Sequence, residues 1–243
     1  MNKIYVVGIG PGEYEQMTIK AQRVLKECDV IIGYTVYVDL VKEHFADKEF
    51  MTTPMRKEEQ RCHMAFEQAS QGKTTAMICS GDAGIYGMTG LIYELADQYP
   101  GVEIESVSGV SAVISGAGLL GAPLIHDFAV ISLSDLLTPW EKIEQRLLSA
   151  AESDMVVCLY NPSSIKRDGH LNKACELLLK YKDEKTVCGI ARNIGRPEED
   201  YQVLDLKTLK DTKVDMFSTV FVGNQQTTVI GGKMVTPRGY RHG

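Results

Sequence analysis

The 243-residue sequence has no pair of cysteines at C-x-x-C spacing; Cys28, Cys62, Cys79, Cys158, Cys175 and Cys188 stand singly. That scatter argues against a disulfide frame or a zinc site and suits reduced, buried thiols in a reducing compartment. There is no long hydrophobic run: stretches such as Val113 to Gly118 are broken by Gly and Ser and fall far short of the about 20 residues a bilayer span needs. Met1-Asn2-Lys3 leads straight into a strand-like segment, without the layout of a signal peptide. The expected location is therefore the cytoplasm, with no membrane partner. Positive charge is not in excess either, with 26 Lys and Arg against 32 Asp and Glu and a net charge of −6. This argues against broad nucleic-acid binding, which rests on clustered cations, yet leaves room for a local pocket binding a small anion. No Gly-Lys-Ser/Thr occurs, which excludes a P-loop. Ser132 and Ser134 have no His at nucleophile-elbow spacing, so no hydrolase triad is visible.

What is present is an ordinary globular composition, 44% hydrophobic and 24% charged, enough for a substantial core. Short β-branched runs alternate with helical stretches. Strands are predicted over 3–8, 30–32, 75–79 and 102–107, with helices over 18–28, 57–71 and 86–99. Uniformly apolar strands of this kind suit a sheet covered on both faces by helices, an α/β layered domain. A stretch rich in small residues, Ser115 to Pro123, reads either as a hinge between two lobes or as a close-packed helix end. After it the pattern restarts. A strand over 128–133 precedes a helix whose start is read at Thr138-Pro139-Trp140-Glu141, with Thr138 as N-cap and Glu141 completing a capping box. A strand over 154–159, a helix over 171–182 and a strand over 186–191 follow. Thr219 to Val222, Val229-Ile230, Gly231-Gly232 and Lys233 to Val235 suggest antiparallel strands joined by a two-residue turn. The expectation is two α/β lobes, 1–114 and 128–243, joined by a linker at 115–127, the second lobe partly antiparallel.

Three loops follow predicted strands. Gly8-Ile9-Gly10-Pro11-Gly12 fails as a dinucleotide fingerprint, because Glu13 stands where the third glycine belongs and Pro11 removes an amide. A tight turn is an equal reading. Ser80-Gly81-Asp82-Ala83-Gly84-Ile85-Tyr86-Gly87-Met88 lets backbone approach a ligand and offers a carboxylate to a ribose hydroxyl or an ammonium. Asp82 as a mere helix cap is the competing reading. Val107-Ser108-Gly109-Val110-Ser111-Ala112 would reach the same sheet edge, which makes a small-molecule crevice plausible. Elsewhere, His63 beside Cys62 reads as a surface residue. Arg56, Lys57 and Arg61 amid Glu58 and Glu59 have the pattern of a solvated face. His126 and Asp127, as neighbours on an extended segment, point to opposite faces.

Taken in order, GIGPG, SGDAGIYGM, GVSA, HDF, SLSDLLTPW, LYNPSS and TPRGY resemble the corrin-pathway tetrapyrrole methyltransferases over essentially the whole chain. Within them they are similar to the C17-methyltransferase branch, acting on precorrin-3B or cobalt-factor III. The resemblance implies a tetrapyrrole methylase fold with S-adenosylmethionine, and no protein-bound metal, in a cleft between two lobes. It also implies, commonly, a homodimer, and S-adenosylhomocysteine as product. Cofactor contacts are carried onto Asp82, Gly84, Ile85, Ser111, Ala112, Tyr160, Asn161, Ala191 and Arg192. The tetrapyrrole falls to Gly10, Pro11 and Gly12, with Arg56, Arg192 and Arg238 as carboxylate clamps. Ala83 stands where relatives that methylate uroporphyrinogen usually have Pro, which favours the C17 branch. Methyl transfer from a sulfonium is chiefly positioning. The ring contraction coupled to it in this branch needs a proton acceptor or donor, for which His126, Asp127, Ser132 and Asp135 are the candidates. Another ring position, a nicotinamide enzyme and a non-catalytic adenosyl sensor are the rival readings. The nicotinamide enzyme is disfavoured by Pro11, by Glu13 and by the second strand, which Asp29 opens and no acidic residue closes to hold a ribose.

Overall fold

The apolar runs become the central strands of two sheets. A computed structural model describes residues 2–164 and 168–240, and it divides into two compact units, Met1–Ala112 and Val113–Gly243. In the first, β1 (Lys3–Gly8), β2 (Val30–Tyr34), β3 (Glu49–Thr53), β4 (Thr74–Cys79) and β5 (Glu103–Val107) make a sheet of order β3-β2-β4-β1-β5. Every pairing in it is parallel. Side chains alternate between the faces, and both faces of the central strands β2, β4 and β1 are covered, so these three are mostly apolar and buried. Ile4, Val6, Ile32 and Met77 pack with Phe66 of α3 (Glu58–Ser70) and Ile92 of α4 (Thr89–Leu95). Val7, Ile31 and Ile78 face the other way, against Leu25 of α1 (Ile19–Glu27) and Val38 of α2 (Thr35–Val41). Phe66 is fully buried and stacks on Tyr99 at 4.3 Å between centroids; burying such a side chain contributes roughly 1.5–3 kcal/mol.

The structure adds two elements here. Helix α2 begins with Thr35-Val36-Tyr37-Val38, residues of low helix propensity, so its tertiary packing overrides local preference. Strand β3 lies at the sheet edge and is mostly half-exposed and polar, without the apolar signature of a covered strand. The helix expected from Tyr86 starts only at Thr89, because residues 80–88 form a loop with Tyr86 at φ 54°.

The second unit holds α5 (Ala112–Leu120, its last eight residues), β6 (Gly121–Ala122), β7 (Phe128–Ser132), α6 (Trp140–Glu152), β8 (Val156–Tyr160) and α7 (His170–Leu178). It continues with β9 (Val187–Arg192), β10 (Asp200–Asp205), α8 (Leu206–Lys210), β11 (Ser218–Val222), β12 (Thr228–Ile230) and β13 (Lys233–Val235). The main sheet has the order β10-β9-β11-β8-β7. Strand β7 is parallel to β8, while β11 is antiparallel to both β8 and β9, so β7, β8 and β9 all run the same way. The antiparallel component expected at the end of the chain is present, in β11 and in the β12–β13 hairpin that turns through Gly231 and Gly232, both at positive φ. Strand β13 also pairs in parallel with β6. The small residues of α5 allow close packing: a Cβ on Gly116 would lie 3.1–3.2 Å from Ile194, Phe221 and Ala191.

Three boundaries differ from expectation. Pro139, extended at ψ 142°, is the N-cap of α6, and no side chain caps it. The Pro139 carbonyl takes the first helical bonds, from Lys142 and Ile143, so Thr138 lies one residue too early to act as cap. Strand β8 starts at Val156 because Asp154, at φ 52°, is still turning. Strand β10, like β3, has an exposed edge position and so lacks the apolar run that marks a covered strand. Helix α8, capped by Asp205 accepting from Thr208 at 2.7 Å, is only five residues long.

Candidate functional site

Strands β4, β1 and β5 are neighbours and run in one direction, so the loops that follow them meet at one edge, where ligands bind in open α/β sheets. Gly10 and Gly81 exchange two backbone hydrogen bonds, of 3.1 and 2.7 Å. A Cβ on Gly109 would stand 2.2 Å from the Gly81 carbonyl oxygen, and one on Gly8 would stand 2.7 Å from the Gly109 nitrogen. These glycines are required by close backbone approach. Asp82 fastens the junction. Its Oδ1 accepts from the N–H groups of Gly84 (2.8 Å) and Ile85 (3.2 Å), and its Oδ2 accepts from Gly109 N–H at 3.0 Å. It does not cap the next helix, whose N-cap is Met88. Ala83 is fully buried beneath the loop, whereas Ile85 and Tyr86 are 43% and 56% exposed. Ser111 is buried and Ala112 half-buried, both beside Gly81; Pro11 is buried and Gly12 half-buried.

Other residues of this unit fall differently. Arg56 is exposed, at φ 66°, with its N–H bonded to Glu58. Arg61 is buried, not part of a solvated face, and His63 is half-buried, with Nδ1 2.7 Å from the Tyr99 hydroxyl. All six cysteines are buried and free. Burial pushes the Cys79 thiol up to about 11 and Cys28, Cys62 and Cys175 up to about 12, which removes them as nucleophiles near neutrality.

In the second unit the ends of β7, β8 and β9 share an edge, and they carry Ser132, Tyr160 with Asn161, and Ala191 with Arg192. Asn161, at φ 52°, donates through Nδ2 to Ser132 Oγ at 2.9 Å. The Tyr160 hydroxyl accepts from Val113 N–H at 3.0 Å. Ala191 is buried, and Arg192 pairs with Asp215 at 2.9 Å. His126 is half-buried and Asp127 exposed; His126 lies in a bend, not on an extended strand. Arg238 donates to the carbonyl of Ile125, beside His126, at 3.0 Å. Asp135 meets His170 Nε2 at 3.1 Å, and Trp140 stands edge-on to that ring at 4.9 Å. His170 was not singled out from the sequence, since its acid partner lies 35 positions away and no local motif announces it. Among the described residues no three His, Cys, Asp or Glu side chains are grouped as metal ligands, and no helix is long and apolar enough to cross a membrane.

Residues 3–210 match the family of tetrapyrrole (corrin/porphyrin) methylases. The chain is 47% identical to the probable cobalt-factor III C(17)-methyltransferase of Salmonella typhimurium, covering 97% of this chain and 98% of that one. The crystal structure of the methyltransferase CobJ superposes with a TM-score of 0.87 at 32% identity, over 96% of this chain and 99% of that one. The uroporphyrin-III C-methyl transferase of Thermus thermophilus, complexed with S-adenyl homocysteine, shares the fold at a TM-score of 0.71 and 21% identity, over 91% and 92% of the two chains.

Proposed function

The chain belongs to the tetrapyrrole (corrin/porphyrin) methylase family, and from that premise we propose that it is an S-adenosylmethionine-dependent C-methyltransferase of cobalamin biosynthesis. Its reaction is methylation of C17 of cobalt-factor III, coupled to contraction of the macrocycle. The near-full-length likeness to the Salmonella relative supports the cobalt-bearing substrate over precorrin-3B. The observation that carries the reading is the junction of glycine loops gathered by Asp82.

The donor and acceptor set fits the cofactor. A carboxylate has about four acceptor sites, and Asp82 uses three of them on backbone N–H groups. The remaining capacity, on a half-exposed side chain, suits a ribose hydroxyl or the cofactor's ammonium. S-adenosylmethionine supplies an activated methyl on a sulfonium, so the chain's task is to orient and exclude water. Gly84 and Ile85, with Ser111 and Ala112, are the proposed contacts in the first unit; Tyr160, Asn161, Ala191 and Arg192 are those proposed in the second. Gly10, Pro11, Gly12, Arg56 and Arg238 are assigned to the tetrapyrrole. His126, Asp127, Ser132 and Asp135 stand as the groups for proton transfer, and His170 orients Asp135.

A homodimer is proposed from the family resemblance, with light scattering as its test. Six buried free thiols support a reducing, cytoplasmic setting. Calorimetry with S-adenosylhomocysteine and NAD tests the cofactor: binding of NAD alone would sink the proposal. Transfer of a labelled methyl group, assayed side by side on cobalt-factor III and precorrin-3B, tests the substrate. Turnover of precorrin-3B alone would reassign it.

A further inference from the structure

Arg61, in the first turn of α3, has 4% of its surface exposed. A buried guanidinium is ordinarily met by a carboxylate, because an uncompensated charge away from water is costly. Arg61 makes no ion pair among the described residues. Its Nη2 donates to the Pro54 carbonyl at 3.3 Å, and its Nε has no hydrogen-bond partner among the described residues. Glu58, one turn away on the same helix, is engaged by the N–H of Arg56.

A second orphan lies close by in the chain. Thr53, the last residue of β3, is 3% exposed, and its Oγ1 also has no hydrogen-bond partner among the described residues. Its carbonyl, by contrast, accepts from Thr35. Both orphaned groups can donate, and one is permanently positive. Two unmatched donors of this kind call for an acceptor that carries negative charge.

The position suits a ligand. The end of β3 lies on the edge of the parallel sheet where β4, β1 and β5 also end. The segment that Arg61 holds, Pro54 to Lys57, is exposed throughout, and it contains Arg56 in the left-handed region, an uncommon conformation for a residue other than glycine.

We propose that Arg61 and Thr53 form an anchoring site for one carboxylate of the tetrapyrrole, reached by displacement of the exposed Pro54–Lys57 segment. The proposal rests on the methyltransferase reading above. S-adenosylmethionine bears a carboxylate too, so the test separates the two sources.

Wild type, Thr53→Val and Arg61→Met are titrated with cobalt-factor III and, separately, with S-adenosylhomocysteine, and their melting temperatures are recorded. Cobalt-factor III should weaken about tenfold in Thr53→Val and on the order of 100-fold in Arg61→Met, as expected for lost hydrogen bonds to a charged group. S-adenosylhomocysteine should move less than about twofold. Thr53→Val should melt no lower than wild type, because an isosteric methyl replaces a buried hydroxyl that has no partner among the described residues. It therefore keeps the test decisive if Arg61→Met fails to fold. Unchanged cobalt-factor III affinity in Thr53→Val overturns the site and leaves the methyltransferase reading standing. Weakening of S-adenosylhomocysteine alone overturns it in favour of the cofactor's carboxylate. Failure of wild type to bind cobalt-factor III, while it binds S-adenosylhomocysteine, overturns the substrate reading and this site with it.

Discussion

The two five-stranded sheets bring polar groups to an edge by different means. In the first unit the strands are all parallel and β4, β1 and β5 are adjacent, so their loops touch and are joined backbone to backbone through glycines. In the second, β11 runs antiparallel between β8 and β9 and holds their ends apart. There side chains, Asn161 to Ser132 and Arg192 to Asp215, supplement single backbone bonds from Leu133 to Tyr160 and from Asn193 to Phe217, and among the described residues no pair of glycines is forced into contact. Backbone joining leaves no room to adjust, whereas side-chain joining tolerates change. Substitutions at the first edge should therefore cost more than those at the second.

The largest effect is expected from Gly109→Ala, whose Cβ would lie 2.2 Å from the Gly81 oxygen. Overpacking against backbone should cost about 3 kcal/mol, a fall in Tm of about 6–12 °C by calorimetry. A fall below about 2 °C would mean the loops can part. Next, Asp82→Ala removes the acceptor of three backbone hydrogen bonds and should weaken S-adenosylhomocysteine about 10- to 100-fold by titration calorimetry. Asp82→Asn, which keeps one oxygen, should retain part of that affinity. Asn161→Ala, at the second edge, loses one hydrogen bond and places Ala at φ 52°. Its expected cost is about 1–2 kcal/mol, read by urea unfolding. A cost equal to that of Gly109→Ala would erase the contrast between the edges.

The smallest effect concerns pH. Hydrogen bonds from Lys20 and Lys3 hold the Glu105 carboxyl down at about 2, from an ordinary 4.5. A depressed carboxyl contributes stability that is fully present above pH 4.5 and is lost as pH falls toward 2. The contribution is small, because the side chain is 33% exposed and screened. The urea midpoint of wild type should drop more between pH 5 and pH 2.5 than that of Glu105→Gln; equal drops would remove this role.

The parts legible in the sequence were those governed by local rules. β1, β4 and β9 announce themselves as apolar runs because both faces of each are covered, and the helix expected over 18–28 is α1, capped by the Thr18 side chain, which accepts from Ala21 N–H. The glycine loops were legible as loops, yet nothing local shows that Asp82 reaches Gly109, 27 positions on. The edge strands β3 and β10 were hidden by their polarity. The charged neighbours of Arg61 suggest solvent, while its burial comes from packing that periodicity does not report. The Asp135–His170 pair is a contact between separate elements, and spacing carries no trace of it.

The hairpin β12–β13 has a consequence in time. Thr236 Oγ1 donates to the Pro123 carbonyl at 2.8 Å, a contact between residues 113 apart in the chain, and Lys233 and Arg238 reach the carbonyls of Leu119 and Ile125. At roughly 5–20 residues per second, a ribosome needs roughly 6–23 seconds to travel from one partner to the other. Throughout that interval the first unit's strands are already all synthesised, while the backbone of residues 119–125 waits for partners that do not yet exist. The second unit is thus the later half to close, and a nascent chain stalled in that window presents an open strand edge to its neighbours.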